Sequence, residues 1–127
     1  MADVNRGNRP LSPHIMIYRP QMTSVSSIMV RLTGLGVFAV AILIVWWLLA
    51  AATSESAFAG IDGFLRSGLG DIILTVATWA LWYHTLGRLR HVFWDFGYFL
   101  DVETAEKLGL GMFAGATILT VFTVLLV

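Results

Sequence analysis

The stretch LTGLGVFAVAILIVWWLLAAATS, residues Leu32–Ser54, decides the fold, because it contains no charged side chain. A helix needs roughly 20 mostly apolar residues to cross the hydrocarbon of a bilayer. Leu108–Val127 is likewise uncharged, and Ile72–Gly87 is uncharged but includes a histidine, His84. These segments predict three transmembrane helices, at about residues 27–52, 69–90 and 107–127.

The composition of the 127-residue chain also favours a membrane protein. Hydrophobic residues make up 57% of it and charged residues 13%, which is about half the charged fraction of a typical soluble domain. The eight basic and eight acidic residues cancel, so the net charge gives no reason to expect a nucleic-acid partner. We therefore predict an all-α integral membrane protein.

The N-terminal residues read as an arm that precedes the helices. Three prolines keep residues 1–22 from forming a continuous helix. The arm also lacks the apolar core and small-residue cleavage site of a signal peptide. Hydroxyl side chains from Thr23 to Ser27 are expected to cap the first helix. Residues 23–127 are assigned to a single transmembrane domain.

Basic residues predict the orientation. Four arginines lie before or at the start of the first span, and Arg88, Arg90 and Lys107 lie in the second connection. The first connection, about residues 53–71, has only Arg66 against three acidic residues. Because basic loops stay in the cytoplasm, we predict N-in/C-out topology in the inner (cytoplasmic) membrane. Arg88 and Arg90 are expected to anchor at lipid phosphates.

This topology places several polar residues at one membrane level. In WYHTLGRLRHVFWDFG, residues 82–97, His84 lies roughly 20 Å of helix from the outer end, in the cytoplasmic half. Arg31 starts the first span in the same zone, and Ser27 precedes it by one turn on the same helix face. Asp95 is expected just beyond the second helix. The residues suited to chemistry therefore converge at the inner leaflet.

The histidine within the second span admits several interpretations. It could bond a neighbouring helix as packing, relay protons or bind a pigment, or it could ligate a haem iron through neutral imidazole. The absence of cysteine excludes covalent haem attachment through a Cys-x-x-Cys-His motif. His91 lies about 10 Å further along the helix from His84, too far to bind the same iron. A second haem ligand would come from another polypeptide.

The pair on the first helix has two open interpretations. The Ser27 hydroxyl beside the Arg31 guanidinium would suit a quinone carbonyl, whose oxygen gains negative charge on reduction. Arg31 could instead contact a haem propionate, because guanidinium groups bind carboxylates well.

Two motifs resemble the cytochrome b556 subunits of succinate dehydrogenase. The first is RPLSPHIMIYRPQMTSVSSIMVRLTG, residues 9–34, and the second is HTLGRLRHVFWDFG, residues 84–97. The chain departs from the family pattern at two positions. Val30 replaces a histidine in the first motif, and Arg88 replaces a small residue in the second.

The resemblance implies a membrane anchor of complex II that is not an enzyme on its own. It implies that His84 is one axial ligand of haem b, with the other from a partner subunit. Ser27 and Arg31 would line a ubiquinone site, and His91 and Asp95 are further candidates there. The implied partners are a second small membrane-anchor subunit, an iron–sulfur subunit, a flavoprotein subunit and membrane lipid. Electrons from succinate would pass through the flavin and clusters to ubiquinone. The alternative is a pigment-binding or purely structural membrane adaptor.

Overall fold

Four helices make up the regular structure of residues 18–127, the part of the chain that the computed structural model describes. In chain order they are α1 (Met22–Thr53), α2 (Glu55–Leu65), α3 (Gly68–Asp95) and α4 (Val102–Leu126). Most of the predicted arm, residues 1–17, lies outside the described residues. The helical membrane class is confirmed: α1 and α4 are each long and apolar enough to span a bilayer, with hydropathies of 2.6 and 2.0.

The second predicted span corresponds to a bent pair of helices. Helix α3 meets the criteria for a span only together with α2, as a pair bent by 73°. The described residues therefore contain two spanning helices, or three if the bent pair is one span. Three spans and the N-in/C-out orientation remain predictions.

The predicted caps of α1 were wrong. Gln21 precedes the helix and makes no side-chain cap, and the hydroxyl residues from Thr23 to Ser27 lie inside the first two turns. The Ser26 hydroxyl donates to the Thr23 carbonyl at 3.1 Å, which lets a serine remain within a helix. Helix α1 begins at Met22, two residues after Pro20.

The first connection, which we expected to be a loop, contains α2. The Ser54 hydroxyl caps this helix by accepting from the Ala57 N–H at 3.3 Å. The Trp47 indole N–H, near the end of α1, donates to the Asp62 carboxylate of α2 at 3.2 Å. This bond and the contact of Trp47 with the Phe58 ring hold α2 against the end of α1.

The connection between α3 and α4 has well-defined ends. Gly97 has a φ of 79°, and the Tyr98 N–H donates to the Phe93 carbonyl at 3.0 Å, as in a Schellman cap. Asp101 caps α4 by accepting from the Thr104 N–H at 2.8 Å, and the helix begins at Val102. This hydrogen bond lowers the pKa of the Asp101 carboxyl. Asp95 lies within the last turn of α3, not beyond it.

Small residues allow the three long helices to pack closely. Tyr83 is completely buried at the centre, among Val30, Met112 and Ala116. A Cβ on Gly87 would collide with the Val30 side chain and lie 3.1 Å from Met112 Cε. Close approach of this kind is how helices associate in lipid, where the hydrophobic effect between helices is absent.

We predict that Gly87→Ala destabilises the helix packing, although alanine is the better helix former. Overpacking of this kind typically lowers the free energy of unfolding by about 1–3 kcal/mol. Thermal unfolding of the complex in detergent measures the effect. Gly111→Ala is the matched control, because a Cβ there meets no atom within 4 Å. Equal melting temperatures for the two variants would contradict the prediction.

Candidate functional site

An open cavity of about 570 Å³ lies between α1 and α3. Its volume is within the range of small-molecule and cofactor sites. The residues that line it are Ser27, Val30, Arg31, Gly34, Leu35, His84, Arg88 and His91. The structure thus brings four of the five predicted site residues to one cavity, and the fifth, Asp95, is exposed and is not part of its lining.

The ring of His84 is held in one tautomer. Its Nδ1 lies 3.0 Å from the Val30 carbonyl oxygen. A carbonyl can only accept, so Nδ1 carries the proton and donates it to this bond. The lone pair of the neutral ring is then on Nε2, the nitrogen that is available to a metal.

Gly34 makes room for this ring. A Cβ at Gly34 would lie 2.9 Å from His84 Cε1 and 3.2 Å from its Nδ1. Real Cβ atoms essentially never approach another atom that closely, so a larger residue would displace the imidazole. The glycine therefore fixes how near the His84 ring lies to α1.

Arg88 contacts His84 directly, which we did not expect. The Arg88 Nε–H donates to His84 Nε2 at 3.3 Å. The two residues are four apart, and residues at this spacing share one face of a helix. The spacing could have revealed the contact from the sequence, where Arg88 was predicted to serve as a lipid anchor.

Arg90 is buried, and this corrects its predicted role as a lipid anchor. Only 4% of Arg90 is exposed. Its Nη1 donates to the Ser26 hydroxyl at 3.0 Å, and its guanidinium carbon lies 4.4 Å from the centroid of the Trp94 ring. Arg90 therefore ties α3 to α1, which the sequence pattern did not indicate.

The other predicted site residues lie around the same cavity. Ser27 is half-buried and Arg31 is exposed, one turn apart on α1. The Nδ1 of His91 lies 2.7 Å from the Gly87 carbonyl oxygen, and the His91 ring meets the edge of Trp94. By the same argument as for His84, the lone pair of a neutral His91 is on Nε2.

Among residues 18–127, no group of three or more His, Cys, Asp or Glu side chains is placed to hold a metal ion.

The sequence matches known proteins along most of its length. Residues 5–123 match the succinate dehydrogenase/fumarate reductase transmembrane subunits. The chain belongs to this family. It is 54% identical to the succinate dehydrogenase cytochrome b556 subunit of Paracoccus denitrificans, over 98% of this chain and 96% of that protein.

More distant relatives extend the match. The cytochrome b556 subunit of Rickettsia conorii is 33% identical, over 89% of this chain and 88% of the relative. The cytochrome b560 subunit of Reclinomonas americana is 34% identical, over 89% of this chain and 82% of the relative. The resemblance inferred from two short motifs is thus confirmed along most of the chain. Membership of this family makes the chain a membrane subunit of an oxidoreductase complex, not a catalytic subunit.

We predict that Gly34→Ala displaces the His84 ring and weakens its bond to the Val30 carbonyl. Nitrogen-15 NMR of labelled histidine would detect this as a changed signal of His84 Nδ1. Gly36→Ala is the control, since a Cβ there makes only an ordinary contact of 3.8 Å with Ala80. Identical His84 signals in wild type and Gly34→Ala would show that this glycine does not position the ring.

Proposed function

We propose that the chain is the haem b-binding membrane anchor of a succinate dehydrogenase (complex II), and that it helps to form the ubiquinone-reduction site. The proposal rests chiefly on His84, whose Nδ1 bond to the Val30 carbonyl leaves a lone pair on Nε2. The relatives named above as cytochrome b556 and b560 subunits support haem b as the ligand.

The cavity residues fit a haem. His84 Nε2 would hold the iron, and Gly34 keeps the space beside the imidazole free of a side chain. Leu35 contributes an apolar wall, and Arg31 offers a cation to a carboxylate. Bound haem supplies a one-electron carrier. The second axial ligand would come from the partner membrane subunit, because one imidazole forms one axial bond.

Ser27 and Arg31 are suited to the quinone. A hydroxyl and a guanidinium one helical turn apart can both donate to a carbonyl oxygen. Their hydrogen bonds strengthen as that oxygen gains negative charge, so they favour reduction. His91 lines the same cavity and could hold a proton for quinol, whereas exposed Asp95 is better placed to meet a partner subunit.

The surface of α1 fits a subunit that is covered by lipid and partner chains. Large side chains along it are half to two-thirds exposed: Leu32, Leu35, Phe38, Ile42, Val45, Trp46 and Leu49. We propose three spans, with α3 as the second, and a cytoplasmic N-terminus in the inner membrane. The iron–sulfur and flavoprotein subunits would then meet the anchor near Ser27 and Arg31, and the second membrane subunit would face His84.

A purely structural role for His84 is the second candidate. It is favoured by the hydrogen bonds of His84, because Val30 and Arg88 occupy both ring nitrogens. In that case the histidine would join α1 to α3 without any cofactor. Optical spectra of the complex separate the two candidates.

We predict that His84→Leu weakens or abolishes haem incorporation, because it removes the nitrogen that binds iron. The reduced-minus-oxidised spectrum of the purified complex would lose or shift its b-type bands. Thr85→Ala is the neighbouring control, since Thr85 is exposed and its hydroxyl only donates to the Leu81 carbonyl. An unchanged b-haem spectrum in His84→Leu would remove this residue from the haem site.

We predict that Ser27→Ala and Arg31→Ala slow quinone reduction on the order of tenfold or more, as expected for lost hydrogen bonds to a charged group. Succinate oxidation with an artificial acceptor should persist, because the flavin would belong to the separate flavoprotein subunit. Steady-state assays of both reactions make the comparison. Arg66→Ala, an exposed arginine beyond the far end of α3, is the control. The quinone assignment fails if Ser27→Ala and Arg31→Ala leave both activities at wild-type levels.

A further inference from the structure

The cavity between α1 and α3 has an excess of positive charge. Arg31 enters its lining from α1 and Arg88 from α3, and no carboxylate belongs to the lining. The ion pairs within residues 18–127 are Arg66–Asp62 and Lys107–Glu103, and both lie elsewhere. Within residues 18–127 neither guanidinium group has a carboxylate partner, and such a pair of cations suits an anionic ligand.

The two arginines differ in what they contact. The Arg88 Nε–H donates to His84 Nε2 at 3.3 Å, slightly beyond the usual range for an N–H donor. Arg88 is exposed, so its long side chain can turn without disturbing the core. Arg88 thus contacts His84 Nε2, the nitrogen that would bind the haem iron in the proposed function.

One nitrogen lone pair cannot serve an iron and an N–H donor together. If iron takes Nε2, Arg88 loses this acceptor and needs another within reach of the cavity. A haem carries two carboxylates, and a guanidinium binds a carboxylate through two parallel hydrogen bonds. The exchange would replace a long, weak bond by a stronger one.

Val30 cannot pair with a haem carboxylate, so another side chain has to do so. Its side chain is buried against Gly87 and Tyr83, and its carbonyl oxygen is occupied by His84. The residue therefore brings no charge to the cavity. The cavity residues that α3 contributes are His84, Arg88 and His91, and of these Arg88 carries a permanent positive charge.

We propose that Arg88 is a positioning residue of the haem site: it occupies His84 Nε2 when iron does not, and it pairs with a haem carboxylate when iron does. The inference rests on the proposed function. It assigns a role to a residue that the sequence pattern placed among lipid anchors.

The pairing has a consequence for the reduction potential. A cation near the haem favours the ferrous form, which carries one positive charge fewer than the ferric form. Removing the cation should therefore lower the midpoint potential. Neutralising a residue that only supports packing has no such directional effect.

The test is potentiometric titration of the haem bands in the complete complex, with Arg88→Gln, Arg88→Lys and wild type. In Arg88→Gln we expect the ferrous-to-ferric ratio at a fixed ambient potential to fall roughly three- to tenfold, where tenfold corresponds to 59 mV. Arg88→Lys keeps the charge and should restore most of the wild-type ratio. Arg66→Gln, which removes a distant exposed charge, should leave the potential unchanged.

A wild-type potential in Arg88→Gln overturns the proposal, and so does an Arg88→Lys variant that shifts as far as Arg88→Gln. If Arg88→Gln binds no haem, the lysine variant decides: haem at the wild-type potential supports the proposal, and loss of haem overturns it. A wild-type complex without b-type bands would instead refute the proposed function, so the two failures are distinguishable.

Discussion

The hydrogen bond from His84 Nδ1 to the Val30 carbonyl is the interaction on which the site depends. It fixes the tautomer of the ring, and it directs the lone pair of Nε2 away from the backbone of α1. The bond exists because Gly34 lets the ring approach the helix, and because Val30 fits against Gly87. Two glycines, Gly34 and Gly87, therefore determine how the His84 ring is held in the cavity.

The same packing explains how a membrane subunit this small keeps a defined site. Helices in lipid associate through close packing and polar contacts, not through the hydrophobic effect. Here Tyr83 fills the centre of the three long helices, and buried Arg90 joins the Ser26 hydroxyl across α1 and α3. Beside this core, the cavity places Ser27 and Arg31 on the α1 side and His84 on the α3 side. In the proposed function, one wall would offer hydrogen-bond donors to a quinone, and the other would offer a nitrogen to haem iron.

Much of this arrangement could be predicted from the sequence. Uncharged runs revealed the long helices, and one-turn spacing placed Ser27 with Arg31. Helix α2 was missed because its 11 residues are fewer than an isolated helix usually needs to be stable, so the segment was assigned to a loop. The burial of Arg90 and the tautomer of His84 depend on contacts between residues more than 50 positions apart. Residue spacing within one helix does not predict such contacts, so they became visible only in the packed structure.

In the proposed function, His84 provides an axial nitrogen to haem iron. The most direct measurement is pulsed electron paramagnetic resonance of the ferric complex in which only this chain carries nitrogen-15 histidine. We predict a nitrogen-15 hyperfine coupling from one axial imidazole, which disappears when His84 is replaced. A spectrum in which the axial nitrogens are all nitrogen-14 would contradict it.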